Sequence, residues 1–252
     1  MTAWRLYLNV GNSSAQIGVW ADGRWQRVVH VPADDPETAL GNLALPKDTL
    51  EATAACFSRP QPERWLAAVE NVFGWRPPVL GRDFAAKIST CYTDPRQLGP
   101  DRAANVLAAV AAGDAPCIIL DGGTCLTADL VDANGLHLGG AIAPGLPAAR
   151  AGILAAAPHL EPSLPLLPPR PVPAGAGVDT GENLALGLVL ALAGTAQALV
   201  DHLQQMTESP AQVILTGGDA GLLAERLKGP AEVRSELTLD GLRLAHEATG
   251  GP

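Results

Sequence analysis

Aromatic residues are few in this chain of 252: five Trp, two Tyr and three Phe. Any sizeable core must therefore be aliphatic, built from Ala, Leu and Val. Cysteine is scarcer still. The four, Cys56, Cys91, Cys117 and Cys125, never fall in a CxxC spacing, which argues against a zinc site, thioredoxin-like chemistry or a disulfide framework. Positive charge is in deficit, with 17 Lys and Arg against 26 Asp and Glu for a net charge of −9. No phosphate-neutralising excess exists for a nucleic-acid partner. Long apolar runs are also lacking. The longest uncharged stretch, 183–200, contains Gly187, Gly194, Thr195 and Gln197 with no flanking basic cluster, and is expected to be a central helix buried on most sides rather than a membrane span. The first residues reach polar Asn9 too early for a signal peptide. The five histidines show no ligand spacing. These absences together predict a soluble, cytoplasmic protein with neither a membrane nor a nucleic-acid partner.

What is present is a repeated pattern. Residues 6–9 read as a strand, turn at Gly11-Asn12, and continue as a strand over 15–20; Asp22-Gly23 then marks a hairpin leading to a third strand over 25–31. Residues 117–121 likewise read as a strand, turn at Gly122-Gly123-Thr124, and continue over 125–131 to an Asn134-Gly135 turn and a strand over 136–142. The offsets agree: 121 − 9, 123 − 11 and 134 − 22 are all 112. Three coincidences in register predict an internal duplication. The expected fold is α/β, with two halves (1–115 and 116–252) around a nucleotide cleft. Helices are expected over 62–72, 101–112, 147–156, 182–206 and 220–227. The segment 158–173 holds seven prolines and reads as an extended surface connector.

The corners point to phosphate. A glycine at a tight strand–turn–strand corner exposes backbone N–H groups, and no side chain blocks an oxyanion there. Asn12, Ser13, Ser14, Thr124 and Thr127 add side-chain donors. A third corner, Thr216-Gly217-Gly218, follows a buried strand and precedes a helix, a favoured place for a nucleotide. Each corner alone is also an ordinary turn; the shared register of the first two favours phosphate, and the third gains its weight from standing beside them.

Asp101 opens an Ala-rich helix. A carboxylate is favoured in a first helical turn for structural reasons alone. The same residue beside Arg102 could instead accept a proton from an alcohol attacking a γ-phosphate.

Taken in order, these segments resemble type III pantothenate kinases, within the actin-like and sugar-kinase superfamily of duplicated, ribonuclease H-like folds. The resemblance rests on Asn9-Val-Gly-Asn-Ser13, Tyr92 nine residues before the Asp of Gly99-Pro-Asp-Arg102, and Asp121-Gly-Gly-Thr-Cys-Leu-Thr-Ala-Asp129. It continues through Gly139-Gly-Ala-Ile-Ala-Pro-Gly145, Asp179-Thr180 ahead of Gly187, and Thr216-Gly-Gly218. It implies ATP-dependent phosphorylation of pantothenate at its primary alcohol, the first step of coenzyme A synthesis. Asp101 would be the catalytic base. Tyr92, Gly99, Pro100, Arg102 and Thr180 would hold pantothenate, with Thr180 supplied from the partner subunit of a homodimer. Asn9, Val10, Gly11, Asn12, Ser13, Ser14, Ala15, Gln16 and Thr124 would contact ATP. Asp121 would carry a monovalent cation, K+ or NH4+, with Mg2+ accompanying ATP. Two positions depart from the family pattern: Asn9 stands where it has Asp, and Gln16 where Lys is common. An amide lacks the charge that orients hydrated magnesium. A catalytically weakened nucleotide-binding relative, acting as a regulatory accessory protein, is therefore the alternative.

Overall fold

A computed structural model describes residues 4–43, 45, 50–58, 62–169 and 171–250. The chain divides into two units, Met1–Gly113 with Glu236–Pro252, and Asp114–Ser235. In chain order the elements are β1 (Trp4–Val10), β2 (Ser14–Ala21), β3 (Arg24–Pro32), α1 (Pro36–Gly41), β4 (Leu50–Phe57), α2 (Glu63–Phe73), β5 (Ser89–Thr90) and α3 (Pro100–Ala112). Then follow β6 (Cys117–Gly122), β7 (Cys125–Val131), β8 (Leu136–Pro144), α4 (Leu146–Ala156), α5 (Thr180–Gln204), β9 (Gln212–Thr216), α6 (Ala220–Ala224), β10 (Ala231–Val233) and α7 (Leu237–Glu247).

In the first unit the sheet order is β3-β2-β1-β4, with β4 parallel to β1 and the hairpins antiparallel. Both faces are covered. Leu6, Leu8 and Val10 pack with Leu40 of α1 and Trp65, Leu66 and Val69 of α2. Tyr7, pointing the other way, packs with Ala104 of α3 and Leu239 and Leu242 of α7. Alternating side chains of one strand thus serve two cores. At the crossing of α3 and α7 the backbones nearly touch: a Cβ on Gly241 would lie 1.9 Å from the carbonyl oxygen of Ala104.

This crossing differs from the expected division into contiguous halves, which assigns everything after residue 115 to the second. Helix α7 closes the core of the first unit, because its apolar residues Leu239, Leu242 and Ala245 cover Tyr7 and Ala54. Its interior glycine costs helix propensity by about 1 kcal/mol and hid it from a reading by pattern. Strand β4, with alanines at 52, 54 and 55, carries little β-propensity and was hidden for the same kind of reason.

In the second unit the strands run β8-β7-β6-β9-β10, with β9 parallel to β6. This repeats the strand order of the first unit. The 112-residue offset carries Arg24–Pro32 onto Leu136–Pro144 (24 + 112 = 136; 32 + 112 = 144), the bounds of β3 and β8. The turns themselves differ. Asp22 (φ 52) and Gly23 (φ 72) both take left-handed backbone in a two-residue turn. The second hairpin is wider, with the Asp132 carboxylate accepting from the amides of Asn134 (2.8 Å) and Leu136 (2.9 Å).

Helix α5 corrects one expectation. Its buried residues Ala185, Leu188, Val189, Leu192, Ala196, Val200 and Leu203 form one stripe, while Leu190 is exposed. It is thus covered on one face rather than on most sides. Among the described residues it is the one helix long and apolar enough to cross a membrane. The proline-rich segment also begins differently from the extended connector expected: Pro158–Ser163 is a 3-10 helix containing Pro162. A short helix of this kind, two turns long, tolerates proline where a longer α-helix does not.

Candidate active site

Asp101 lies in the first turn of α3, and both oxygens of its carboxylate are engaged. Oδ1 accepts the backbone N–H of Arg102 at 2.8 Å, and Oδ2 accepts the hydroxyl of Ser58 at 2.6 Å. Gly99 just before it leaves the carboxylate room: a Cβ there would sit 2.7 Å from Asp101 Oδ1 and push that side chain aside. Pro100 fills the first helical position, where a missing N–H costs nothing, and packs beside Gly81, whose φ is +85°. Arg102 is buried, donates from Nη1 to the Tyr92 hydroxyl at 3.0 Å, and places its guanidinium carbon 5.8 Å from the Tyr92 ring centroid. The nine-residue spacing between Tyr92 and Asp101 therefore resolves into a pair: Tyr92 meets the neighbour of Asp101.

The first corner connects β1 to β2. Gly11 N–H donates to the carbonyl of Ser14 at 2.9 Å, leaving Asn12, Ser13 and Ser14 exposed. Val10 and Ala15 turn their side chains into the core, so only their backbone could meet a ligand. Asn9 and Gln16 are direct cross-strand partners, and Gln16 in turn lies beside His30, with Nε2 to Nε2 at 3.4 Å. The two departures from the family pattern thus occupy one cross-strand pair. An Asp and a Lys facing each other would carry opposite charges; the two amides replace both at once and leave the local net charge unchanged.

In the second unit, the second and third corners form one structure. Asp121, the last residue but one of β6, pairs with Thr127 of β7 and Thr216 of β9. Gly123 N–H donates to the Cys125 carbonyl at 3.0 Å, a turn one residue tighter than that at Gly11. Gly145 N–H donates to the Thr124 carbonyl at 3.2 Å, and a Cβ at 145 would meet Gly123 O at 2.1 Å. From the other side, a Cβ on Gly217 (φ +82°) would meet Asp121 Oδ1 at 2.3 Å and Gly122 O at 2.5 Å. The glycines of three separated segments are thus needed because their backbones close around one corner. Thr124 lies in this cradle. Thr180 is the exposed first residue of α5, behind Asp179, whose carboxylate caps the helix by accepting from Glu182 N–H at 2.8 Å.

Two features of the site escaped a reading of the sequence. Ser58 follows β4, which had no strand signal, and a lone serine carries no motif. Asp219 packs its Cβ side against Gly122, and its N–H donates to the Gly122 carbonyl at 2.9 Å. Burial pushes the Asp219 carboxyl up to about 6, above its ordinary value, so the fold favours the protonated form. That contribution is fully present below the unfolded value near 4 and is lost as pH rises through 6. Asp219→Asn is accordingly expected to raise Tm at pH 8 and to leave it almost unchanged at pH 4. Thermal scans at the two pH values check this, and a larger gain at pH 4 would contradict it.

Among the described residues no three His, Cys, Asp or Glu side chains gather as a metal site. Of the cysteines, Cys56 and Cys117 are buried, and burial raises the Cys117 thiol to about 12, which keeps it unreactive.

The sequence profile of type III pantothenate kinases matches residues 5–202. The chain belongs to the type III pantothenate kinase family. A type III pantothenate kinase of Roseiflexus sp. (strain RS-1) is 30% identical over 253 aligned residues, covering 96% of this chain and 98% of the relative. Among solved structures, a Campylobacter jejuni protein described as a Baf family transcriptional activator aligns at a TM-score of 0.58 and 19% identity, over 98% of this chain and all of the other. The activator of 2-hydroxyisocaproyl-CoA dehydratase from Clostridium difficile, with bound ADPNP, aligns at 0.55 and 10% identity over 98% and 97% of the two chains. These likenesses show the fold, that of the actin-like ATPases and sugar kinases. The family shows the class of enzyme, a kinase that uses ATP.

Proposed function

We propose that Asp101 is the general base with which this member of the type III pantothenate kinase family moves the terminal phosphoryl group of ATP to the primary alcohol of pantothenate. The observation that carries this reading is the carboxylate at the start of α3, fixed at both oxygens and adjoining buried Arg102, which pairs with half-buried Tyr92. Asp101 takes the proton as the alcohol oxygen bonds to the γ-phosphorus and ADP leaves. Phosphoryl transfer asks the protein chiefly for positioning and charge stabilisation, so a held carboxylate is suited to orienting the alcohol. Arg102, Tyr92, Gly99 and Pro100 form the pantothenate end, to which Thr180 is added from the partner of a homodimer. The exposed Leu166 and Val178, at 87% and 88%, support such a partner.

The residues present fit a nucleotide. The corner at Gly122-Gly123-Thr124 is kept open by glycines at 145 and 217, and the exposed Asn12, Ser13 and Ser14 offer donors at the first corner. ATP supplies the phosphoryl group, and its Mg2+ neutralises phosphate charge. Asp121 would hold K+ or NH4+ at the end of β6. Asn9 and Gln16 form an uncharged cross-strand pair at the first corner, so that pair supplies no charge to a metal. The protein is proposed to act in the cytoplasm.

Tyr92→Phe removes the oxygen that accepts from Arg102 and leaves the ring. It is expected to raise the pantothenate KM about tenfold, since a hydrogen bond to a charged group is involved, while the ATP KM stays within twofold. Initial rates over a pantothenate titration read this directly. An unchanged pantothenate KM together with a raised ATP KM would place Tyr92 elsewhere.

A further inference from the structure

Ser58 belongs to none of the segments that carry the family resemblance, yet it touches two of the functional ones. Its hydroxyl donates to Asp101 Oδ2 at 2.6 Å. Its backbone N–H donates to the carbonyl of Val10 at 3.0 Å, and its own carbonyl accepts the Asn12 side chain at 3.4 Å. Val10 and Asn12 flank Gly11 in the first corner. A single residue at the end of β4 therefore links the phosphate corner of the first unit to the carboxylate at the start of α3.

We propose that Ser58 is a positioning residue for Asp101, locking the carboxylate plane and holding it in register with the first corner. The proposal rests on the reading of Asp101 as the base. The physical reason is rotameric. The terminal torsion of an aspartate is broad and roughly two-fold, so one bond from the Arg102 amide at Oδ1 leaves the plane of the group free to rock. A second bond at Oδ2, from a donor just past the end of β4, removes that freedom. The donor is itself fixed, because the Ser58 amide is paired to Val10 beside β1. Each carboxylate oxygen has about two acceptor directions, so both bonds can persist while a lone pair remains for the substrate proton. Misplacement of a reacting group by about 1 Å can cost 10²-fold, so a rocking base would lower turnover without weakening nucleotide binding.

The test is a double-mutant cycle on the full chain, with wild type, Ser58→Ala, Asp101→Asn and the double variant assayed at saturating ATP and pantothenate. Ser58→Ala is expected to lower kcat about tenfold, with the ATP KM within twofold and Tm little changed. In the Asp101→Asn background the same substitution should alter the residual rate by less than about twofold, since the group it positions is gone. Ser58→Thr, which keeps the hydroxyl, should restore most of kcat. If the alanine variant does not fold, Ser58→Cys, close in size with a poor donor, gives the same comparison. An equal fall in both backgrounds would make Ser58 merely structural and overturn the proposal. So would an unchanged kcat in Ser58→Ala while Asp101→Asn is crippled, an outcome that leaves Asp101 as base untouched. Wild-type turnover in Asp101→Asn would instead overturn the base assignment, and the role of Ser58 with it.

Discussion

Replacing Asp101 by Asn is expected to slow turnover by about 10²–10⁴-fold, the usual contribution of a general base, while ATP binding stays nearly intact. The substitution changes charge with almost no change in size. Asn can still accept from Ser58 or from the Arg102 amide through its carbonyl oxygen, so the start of α3 keeps at least one of its two bonds. The loss of a first-turn carboxylate at a helix start costs about 0.3–1 kcal/mol, a shift of a few degrees at most in a protein of this size. Activity and stability therefore separate cleanly. Steady-state rates with a parallel thermal scan decide between the two roles a carboxylate can have there. A fall of less than fivefold would return Asp101 to the role of a helix-start residue.

The second large effect concerns Gly145. A Cβ at this position would lie 2.1 Å from Gly123 O, 2.9 Å from Thr124 O and 3.1 Å from the carbonyl carbon of Cys125. All three atoms are backbone, so no side chain can rotate away, and the Gly123–Cys125 corner itself must move. Gly145→Ala is expected to raise the ATP requirement at least about tenfold and to lower Tm by several degrees, since overpacking costs about 1–3 kcal/mol. Gly152→Ala is the matched control. It lies in the exposed part of α4 with nothing within 4 Å of a Cβ, and gaining helix propensity should leave Tm equal or higher. An ATP titration and a thermal scan of each variant check the contrast. If Gly145→Ala keeps both wild-type values, the corner does not hold nucleotide in the way described.

How far the sequence reached depends on whether an element carries its own signal. The paired hairpins did, because Asp22-Gly23 and Asn134-Gly135 stand at equal offsets, and β3 and β8 keep matching bounds. Equal spacing nevertheless concealed unequal turns: the second hairpin loops wider around Asp132, and the corner at Gly123 is one residue tighter than that at Gly11. Side-chain chemistry at a turn is decided locally and does not follow from duplication. Gly145 and Gly217 were legible as members of motifs, but their reason was not, since it lies in backbone oxygens of a distant segment. Helix α7 and Ser58 were hidden outright. Gly241 weakens the helical pattern at the point where α3 demands a glycine, and Ser58 gains its meaning only when β4 carries it to Asp101. The pairing of Asn9 with Gln16 was also invisible until strand register was known. It turns two separate departures into one exchange of a charged pair for a neutral one.

The measurement that bears most directly on the whole account is ADP release by the purified protein with ATP and Mg2+, in the presence and absence of pantothenate and of potassium. Pantothenate-dependent ADP release is expected, faster with potassium, together with a product one phosphoryl group heavier than pantothenate. ATP binding with no pantothenate-dependent ADP release under either salt condition would contradict it, and would make this chain a nucleotide-binding relative that does not catalyse the transfer.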